Sequence, residues 1–249
     1  MGIVLRSWLL DSSSFPNCFN HFLQFIIPSS RLQSIHSSRY FRFVQLFYNP
    51  HITDDFVLEK DESRHLVRVL RKTIGDQVDF TDGRGGHFVC ELTNANDKRA
   101  RLSVKEKHQH QPRKQAFHLA IAPTKNMDRL EWCVEKAVEI GVETITPIIT
   151  ENSERRHLRL DRLERIAVSA MKQSLKFHIT DIQDVMPLKQ FIASVKCEHK
   201  FIAHKSEEFP GSPLVSKEIS DDILVLIGPE GDFSSTELKT IMAAEYACV

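Results

Sequence analysis

Short apolar runs alternate with amphipathic helical segments from Ala116 to the end of the chain. Runs of this length and β-branched content are typical of buried strands. We expect such strands at residues 117–122, 144–149, 201–203 and 223–227. Helices are expected at residues 127–140, ending at Gly141, and at residues 160–171. Pro147 predicts that the second strand has an edge or bulged position. Strand–helix alternation of this kind predicts a parallel α/β sheet.

The last of these strands leads into a loop with two glycines, Gly228-Pro-Glu-Gly231, and then into a helix start. Ser234 and Glu237 form a capping-box pattern, in which each side chain satisfies a backbone N–H group of the other. Ligands of parallel sheets bind beyond the carboxyl ends of the strands, and this loop leaves such an end. Its spacing fits neither a Walker A loop nor a GxGxxG fingerprint. The spacing alone is therefore compatible with a ligand-binding loop and with a tight turn that binds nothing.

Residues 47–107 have a different character, with short strand patterns separated by strong turn signals. Strands are expected at residues 78–80, 87–92 and 100–104. Short strands at this spacing predict a small β barrel. The polar stretch from Lys105 to Gln115 has no apolar period, so we expect a linker there. The predicted folded domains are a barrel over residues 46–110 and an α/β domain over residues 115–249.

A basic segment precedes the first of these strands. Its cationic residues recur at three- and four-residue steps, so several would share one face of a helix. They are Arg64, Arg68, Arg71 and Lys72. Such a face can neutralise the phosphates of a nucleic acid, although a solvated basic face would have the same pattern.

Bulk composition excludes several classes of protein. The 33 basic and 33 acidic residues cancel, so any contact with nucleic acid must come from local patches. The five cysteines contain no CxxC pair, and His108 and His110 have no partner ligands at fitting spacing. We therefore expect no metal site. The longest apolar stretch, residues 22–27, is too short for a membrane span, so we expect a soluble protein.

The first 45 residues are rich in Ser and Arg and contain a single acidic residue, Asp11. This composition is typical of an organelle transit peptide, which predicts import into a chloroplast or mitochondrion. A disordered tail on a cytoplasmic protein is the alternative.

Four ordered segments together resemble the ribosomal RNA small subunit methyltransferase E family. The first is the "HLVRVLR…GD…DG.G" segment, matched by residues 65–86, and the second is "K..R.EW..EKA.E.GV..I.P", matched by residues 125–147. The third is "ER..RI...A..QS", matched within residues 163–174, and the last is the "IGPEG.FS..E" loop at residues 227–237. Several ordered motifs at family spacing are far more specific than any one of them.

The resemblance implies a fold of two parts, a PUA-like RNA-binding β barrel and a knotted, SPOUT-type parallel-sheet methyltransferase domain. It also implies methylation of uridine N3 in small-subunit (16S-type) ribosomal RNA with S-adenosylmethionine as donor, and a homodimer. Residues implied at the cofactor are Gly228, Pro229, Glu230, Gly231 and His204. Those implied at the RNA are Arg64, Arg68, Arg71 and Lys72. No general base is identifiable, so the catalytic residues stay unassigned.

Three positions depart from the family pattern. Asp232 stands where the family usually has a second Gly after GPEG, and Lys176 replaces the Arg of a Gln-Ser-x-Arg motif. Lysine keeps the charge but loses the bidentate geometry of arginine. The common Thr/Ser-Glu-Arg-Ser segment reads Thr150-Glu-Asn-Ser153.

A further departure concerns the end of the sequence, Ala247-Cys-Val249. The family continues through another strand, an "LGxRILRxETA" loop and a final helix, which complete the knot and the donor pocket. We therefore expect an incomplete knot, and a catalytically inactive isoform that retains RNA binding is one alternative function. Another is a nucleotide-binding protein that uses the Gly228–Gly231 loop for phosphate, although this loop lacks the lysine such sites use.

Overall fold

The computed structural model describes residues 45–204 and 221–249. The predicted transit peptide lies almost entirely outside them. These residues form a five-stranded sheet and a seven-stranded sheet. Within the described residues, no helix has the length and apolar character needed to cross a membrane.

The N-terminal sheet has the strand order β1-β3-β4-β5-β2, with β1 parallel to β3 and the other neighbours antiparallel. Its strands are β1 (Leu46–Tyr48), β2 (Asp55–Val57), β3 (Gln77–Thr81), β4 (Gly86–Asn94) and β5 (Arg101–Gln109). Helix α1 (Lys60–Arg64) continues directly into a π-helical turn, His65–Val69. Fully buried side chains from sheet and turn form one core, which includes Phe47, Leu66, Phe80, Leu92 and Leu102.

The prediction of a linker from Lys105 to Gln115 is wrong for its first residues, because β5 extends to Gln109. Its polar second half pairs with β4, where His87 lies opposite His108 and Gly86 opposite Gln109. Backbone pairing continues there although the side chains are exposed and carry no apolar period.

The C-terminal sheet has the order β12-β10-β11-β6-β7-β8, with β9 also paired to β7, and every neighbouring pair is parallel. Its strands are β6 (Phe117–Ile121), β7 (Thr144–Ile149), β8 (Asp181–Ile182), β9 (Met186–Pro187), β10 (His199–Ala203), β11 (Ile223–Ile227) and β12 (Ala247–Cys248). The predicted parallel α/β sheet is therefore confirmed.

Helices cover both faces of this sheet. They are α2 (Met127–Ile140), α3 (Leu160–Gln173), α4 (Leu188–Ser194) and α5 (Ser235–Ala243). Val225 and Ile227 of β11 pack into the core under α2 and α3, while Leu224 and Leu226 pack into the core under α4 and α5. Burial on both faces explains why this strand is continuously apolar.

Strand β7 is an interior strand, which corrects the edge position expected from Pro147. On its outer side β7 pairs with β8 at residues 144–145 and with β9 at residues 148–149. Pro147 lies between these two partners, where its missing N–H group leaves no ladder bond unmade.

The two sheets meet at a seam formed by main-chain groups. The carbonyl oxygen of Phe177, just after α3, accepts the N–H of Gly85 at 2.8 Å and the hydroxyl of Thr81 at 3.2 Å. Ile179 N–H donates to the carbonyl of Gly83 at 2.9 Å, and Lys172 forms an ion pair with Glu62 at 2.8 Å. This seam places the loop between β3 and β4 against the C-terminal end of α3.

Candidate functional site

The carboxyl ends of β6, β7, β10 and β11 lie side by side in the C-terminal sheet. The loops that leave them bring together the Gly228–Gly231 loop, the segment Thr150–Ser153, Lys125 and His204. This edge is where ligands bind in open parallel sheets. The structure therefore assembles all of the cofactor residues that the resemblance implied.

Gly228 is required by the close approach of an aromatic ring. A Cβ atom at this position would lie 2.9 Å from Cε2 of Phe233. That ring is buried at 5% exposure in the core under α4 and α5, so it has little room to move. Pro229 is buried as well, whereas Glu230 and Gly231 are exposed. The second half of the loop is thus exposed.

Glu230 holds the loop to its neighbour. Its carboxylate oxygens accept the backbone N–H of Lys125, just after β6, at 3.1 and 3.3 Å. The side chain amide of Asn152 donates to the carbonyl oxygens of Gly231 and Asp232, each at 3.0 Å. The loop after β11 is therefore fixed from two sides.

Asp232 has a left-handed backbone, with φ of 58°, and its N–H donates to the carbonyl of Pro229 at 2.9 Å. Asp is among the few side chains that tolerate this region. The need for a positive φ explains why glycine suits the position in the family. Here the carboxylate instead reaches Nδ1 of His204 at 2.7 Å.

His204 is almost entirely enclosed, with 6% of its side chain exposed. An ionised carboxylate only accepts hydrogen bonds, so Nδ1 is the donor to Asp232, and a neutral imidazole then carries a lone pair on Nε2. That Nε2 atom is buried and has no hydrogen-bond partner among residues 45–204 and 221–249. Buried polar atoms nearly always have a partner, so an unpaired one next to a candidate ligand loop indicates a place for a ligand group.

Helix α5 begins with the predicted capping box. Ser234 Oγ accepts the N–H of Glu237 at 3.2 Å, and the Glu237 carboxylate accepts the N–H of Ser234 at 3.0 Å. Glu237 is only 3% exposed, and its other oxygen accepts the N–H of Glu151 at 2.8 Å. The sequence showed the cap but not this third bond, which joins α5 to the segment after β7.

The basic segment does not form one helical face, which corrects that expectation. Arg64 ends α1, Arg68 lies in the π-helical turn, and Arg71 follows it with a left-handed φ of 55°. Arg68 donates twice to one Asp97 oxygen, at 2.9 and 2.7 Å, whereas Lys72 donates to the Gln77 carbonyl at 3.2 Å. This ion pair holds the pKa of the Asp97 carboxyl below its usual range. The wider turn of the π-helix breaks the four-residue step on which the expectation relied.

Glu198, His199 and Asp221 lie at the opposite, amino edge of the sheet, with ligand atoms within 4.8 Å of one another. Both carboxylates are exposed, as is common for acidic groups that hold no ion. The cluster is remote from the residues around Gly228–Gly231.

Comparison with known proteins agrees with this architecture. Residues 111–249 match the family model described as an RNA methyltransferase domain, and residues 58–105 match an RNA methyltransferase PUA domain. A probable rRNA-methyltransferase from Porphyromonas gingivalis has a crystal structure that is 42% identical, with a TM-score of 0.76 over 82% of this chain and 88% of that one.

Two further relatives carry a more specific name. Ribosomal RNA small subunit methyltransferase E from Rickettsia conorii is 23% identical over 204 residues, which are 80% of this chain and 83% of the relative. The enzyme of the same name from Neisseria gonorrhoeae, solved bound to S-adenosyl methionine, is 22% identical with a TM-score of 0.73. The match covers 83% of this chain and 88% of the Neisseria gonorrhoeae chain.

Fold and domain matches together define a PUA-containing RNA methyltransferase, and the chain belongs to the RNA methyltransferase domain family. The resemblance to the ribosomal RNA small subunit methyltransferase E family is confirmed, because curated relatives bear that name. The SPOUT-type fold with a PUA-like N-terminal domain is confirmed with it.

Proposed function

We propose that this protein transfers a methyl group from S-adenosylmethionine to N3 of a uridine in small-subunit ribosomal RNA. The names of its relatives support the RNA class, and the donor-bound Neisseria gonorrhoeae structure supports the donor. The choice of uridine N3 is supported by the motif resemblance in residues 65–86 and 227–237.

The observation that carries the donor assignment is Nε2 of His204, which lies beside the Gly228–Gly231 loop and has no partner in the part of the chain that the structure describes. Small-molecule sites combine a mainly apolar wall with a few placed polar groups. When bound, S-adenosylmethionine supplies a methyl group on a positively charged sulfur. The residues that would hold it are the exposed backbone of Glu230 and Gly231 and the imidazole of His204.

The surrounding residues keep this loop in one conformation. Glu230 and Asn152 each bond to backbone groups across the site, and Asp232 orients His204. A site that is preorganised in this way loses little conformational freedom when ligand binds. Methyl transfer depends on alignment of donor and acceptor, so a fixed donor loop contributes directly to the rate.

The N-terminal domain would bind the RNA. Arg64 and Arg71 are exposed and form no hydrogen bond or ion pair within the described residues, so both are available to phosphate. Arg68 would have to exchange its bond to Asp97 for one to RNA. The proposal also includes a homodimer, which sedimentation of the pure protein would test. It includes an organelle location, which imaging of a C-terminal fluorescent fusion would test.

The test is calorimetric titration of the full 249-residue chain with S-adenosylmethionine, followed by methylation of small-subunit RNA. Micromolar binding and appearance of 3-methyluridine in digested RNA, identified by mass spectrometry, are the expected results. A folded protein that binds no donor would refute the methyltransferase proposal. Methylation at another atom would refute the N3 assignment alone, and binding of RNA without the donor would identify the RNA-binding alternative.

A further inference from the structure

The segment between α3 and β8 has features that neither the donor site nor the basic segment explains. Leu175 has a left-handed φ of 54° because it terminates α3, where the N–H of Lys176 donates to the carbonyl of Met171 at 3.1 Å as in a Schellman cap. The side chain of Leu175 is 44% exposed. This turn presents Lys176 and Phe177 at the seam between the two domains.

Aromatic rings from both domains stack at this point. Phe177 and His110 are 4.1 Å apart between ring centroids with an interplanar angle of 12°, and Phe177 and His87 are 4.7 Å apart. His108 is 5.5 Å from His87 and has 52% of its side chain exposed. His110 is exposed as well. The result is a row of planar rings that reaches solvent, and not a closed aromatic core.

Other contacts hold the seam together with these rings. Phe177 contributes to it through its carbonyl oxygen, which bonds to Gly85 and Thr81. His87 is fixed by Asp79, whose carboxylate lies 2.7 Å from Nε2. The rings of His108 and His110 also contact neighbours, Glu106 and Phe177 respectively, but both residues are exposed.

Cations lie around the ring row. Within the described residues the Lys176 amine has no hydrogen bond or ion pair. Burial and the nearby Arg113 lower its pKa, against the opposing effect of Glu143 and Glu139. Arg84 is 70% exposed; it donates to the Pro50 carbonyl and lies 3.7 Å from Asp82. The acidic groups nearby have other partners: Asp79 contacts His87, Glu106 contacts His108, Glu139 pairs with Lys136, and Glu143 accepts the N–H of Phe117. An anion at this surface would therefore meet the cationic groups of Lys176 and Arg84.

We propose that this seam surface, formed by His108, His110, Phe177, Lys176 and Arg84, binds single-stranded RNA. Planar side chains stack on unpaired bases of any sequence, and adjacent cations meet the phosphates. The inference rests on the proposed function and adds to it a second RNA contact, just after the C-terminal end of α3. Charge complementarity and exposed rings favour RNA over a second copy of this chain.

The test uses the full chain, a fluorescent 12-nucleotide oligouridylate, and an abasic RNA of the same length, measured by anisotropy. Wild type should bind the oligouridylate more tightly than the abasic strand. Phe177→Leu keeps an apolar group but removes a planar ring, and His110→Leu replaces a polar planar ring with an apolar chain. Each should weaken oligouridylate binding roughly tenfold and abasic binding little. Lys176→Gln should weaken both and reduce the salt slope by about 0.7.

His157→Leu is the matched control, because His157 is exposed in the loop before α3, at its opposite end. It should bind both RNAs as wild type does. Circular dichroism and donor titration accompany each variant. Unchanged oligouridylate binding by Phe177→Leu, His110→Leu and Lys176→Gln would overturn the seam proposal while leaving the methyltransferase proposal intact. A change in sedimentation with unchanged RNA affinity would assign the surface to contact between copies and overturn it as well. A wild-type protein that binds no donor would instead count against the proposed function.

Discussion

Substitutions of Asp232 separate two roles of this residue: its left-handed backbone conformation and its carboxylate bond to His204. The residue has a φ of 58°, and its carboxylate is the partner of the enclosed His204. Alanine and glycine both remove the carboxylate, but only glycine adopts this φ without strain. The backbone bond from residue 232 to the Pro229 carbonyl is kept in both variants.

The magnitudes follow from these contacts. Removing the carboxylate leaves both nitrogens of a 6%-exposed imidazole unpaired, which costs about 1–3 kcal/mol of unfolding free energy. Partial exposure of Asp232 places the value at the lower end. Alanine in the left-handed region costs about 1 kcal/mol more than glycine. We therefore expect the stability order wild type, then Asp232→Gly, then Asp232→Ala, with the last two about 1 kcal/mol apart.

Urea unfolding followed by far-ultraviolet circular dichroism measures this order, provided that the m-value is the same for all variants. Asp232→Asn is the control, because asparagine tolerates the same φ and its amide oxygen can accept the Nδ1–H of His204. It should remain within about 1 kcal/mol of wild type. Equal stability of the glycine and alanine variants would refute the strain argument. If both variants had the unfolding free energy of wild type, the carboxylate would not stabilise His204.

Three further substitutions have separate causes. Gly228→Ala places a Cβ 2.9 Å from the buried Phe233 ring; it should cost about 1–3 kcal/mol and weaken donor binding, which urea unfolding and calorimetry measure. Burial lowers the pKa of His118 to about 4. Between pH 6.5 and 4 the unfolded state therefore binds more protons than the folded state. The contribution of His118 to stability is thus full above pH 6.5 and falls as the pH drops. His118→Gln should flatten that part of the pH–stability curve, and an unchanged curve would contradict the assignment. Ser234→Ala removes the cap of α5 and should cost about 1 kcal/mol of unfolding free energy, measured by urea unfolding. Ser235→Ala, at an exposed first-turn position, should cost nearly nothing in the same assay.

Local signals predicted the elements of the C-terminal domain well. Gly141 ends α2 with a φ of 90°, and the bounds of β11 are those expected from its apolar run. Both follow from the backbone needs of a few neighbouring residues, which a sequence displays directly. The capping box of α5 is of the same kind.

Features that depend on distant partners were not predictable in this way. The strand β5 passes through a polar stretch because β4 is its partner, and the π-helical turn at His65–Val69 rearranges a basic pattern that a regular helix would align. The bond between Asp232 and His204 joins residues 28 positions apart. Sequence similarity placed His204 near the loop, but only the fold shows that its second nitrogen has no partner among the described residues.

The seam at Phe177 has a consequence for how the molecule unfolds. Thr81 and Phe177 are 96 residues apart, and their bond, like that of Gly85, uses the Phe177 main-chain carbonyl. Two modules joined by main-chain bonds, an ion pair and stacked rings share part of their stability, so neither reaches its full stability alone. Calorimetry of the intact chain should accordingly show one heat-absorption peak whose van't Hoff and calorimetric enthalpies agree, as for a single cooperative unit.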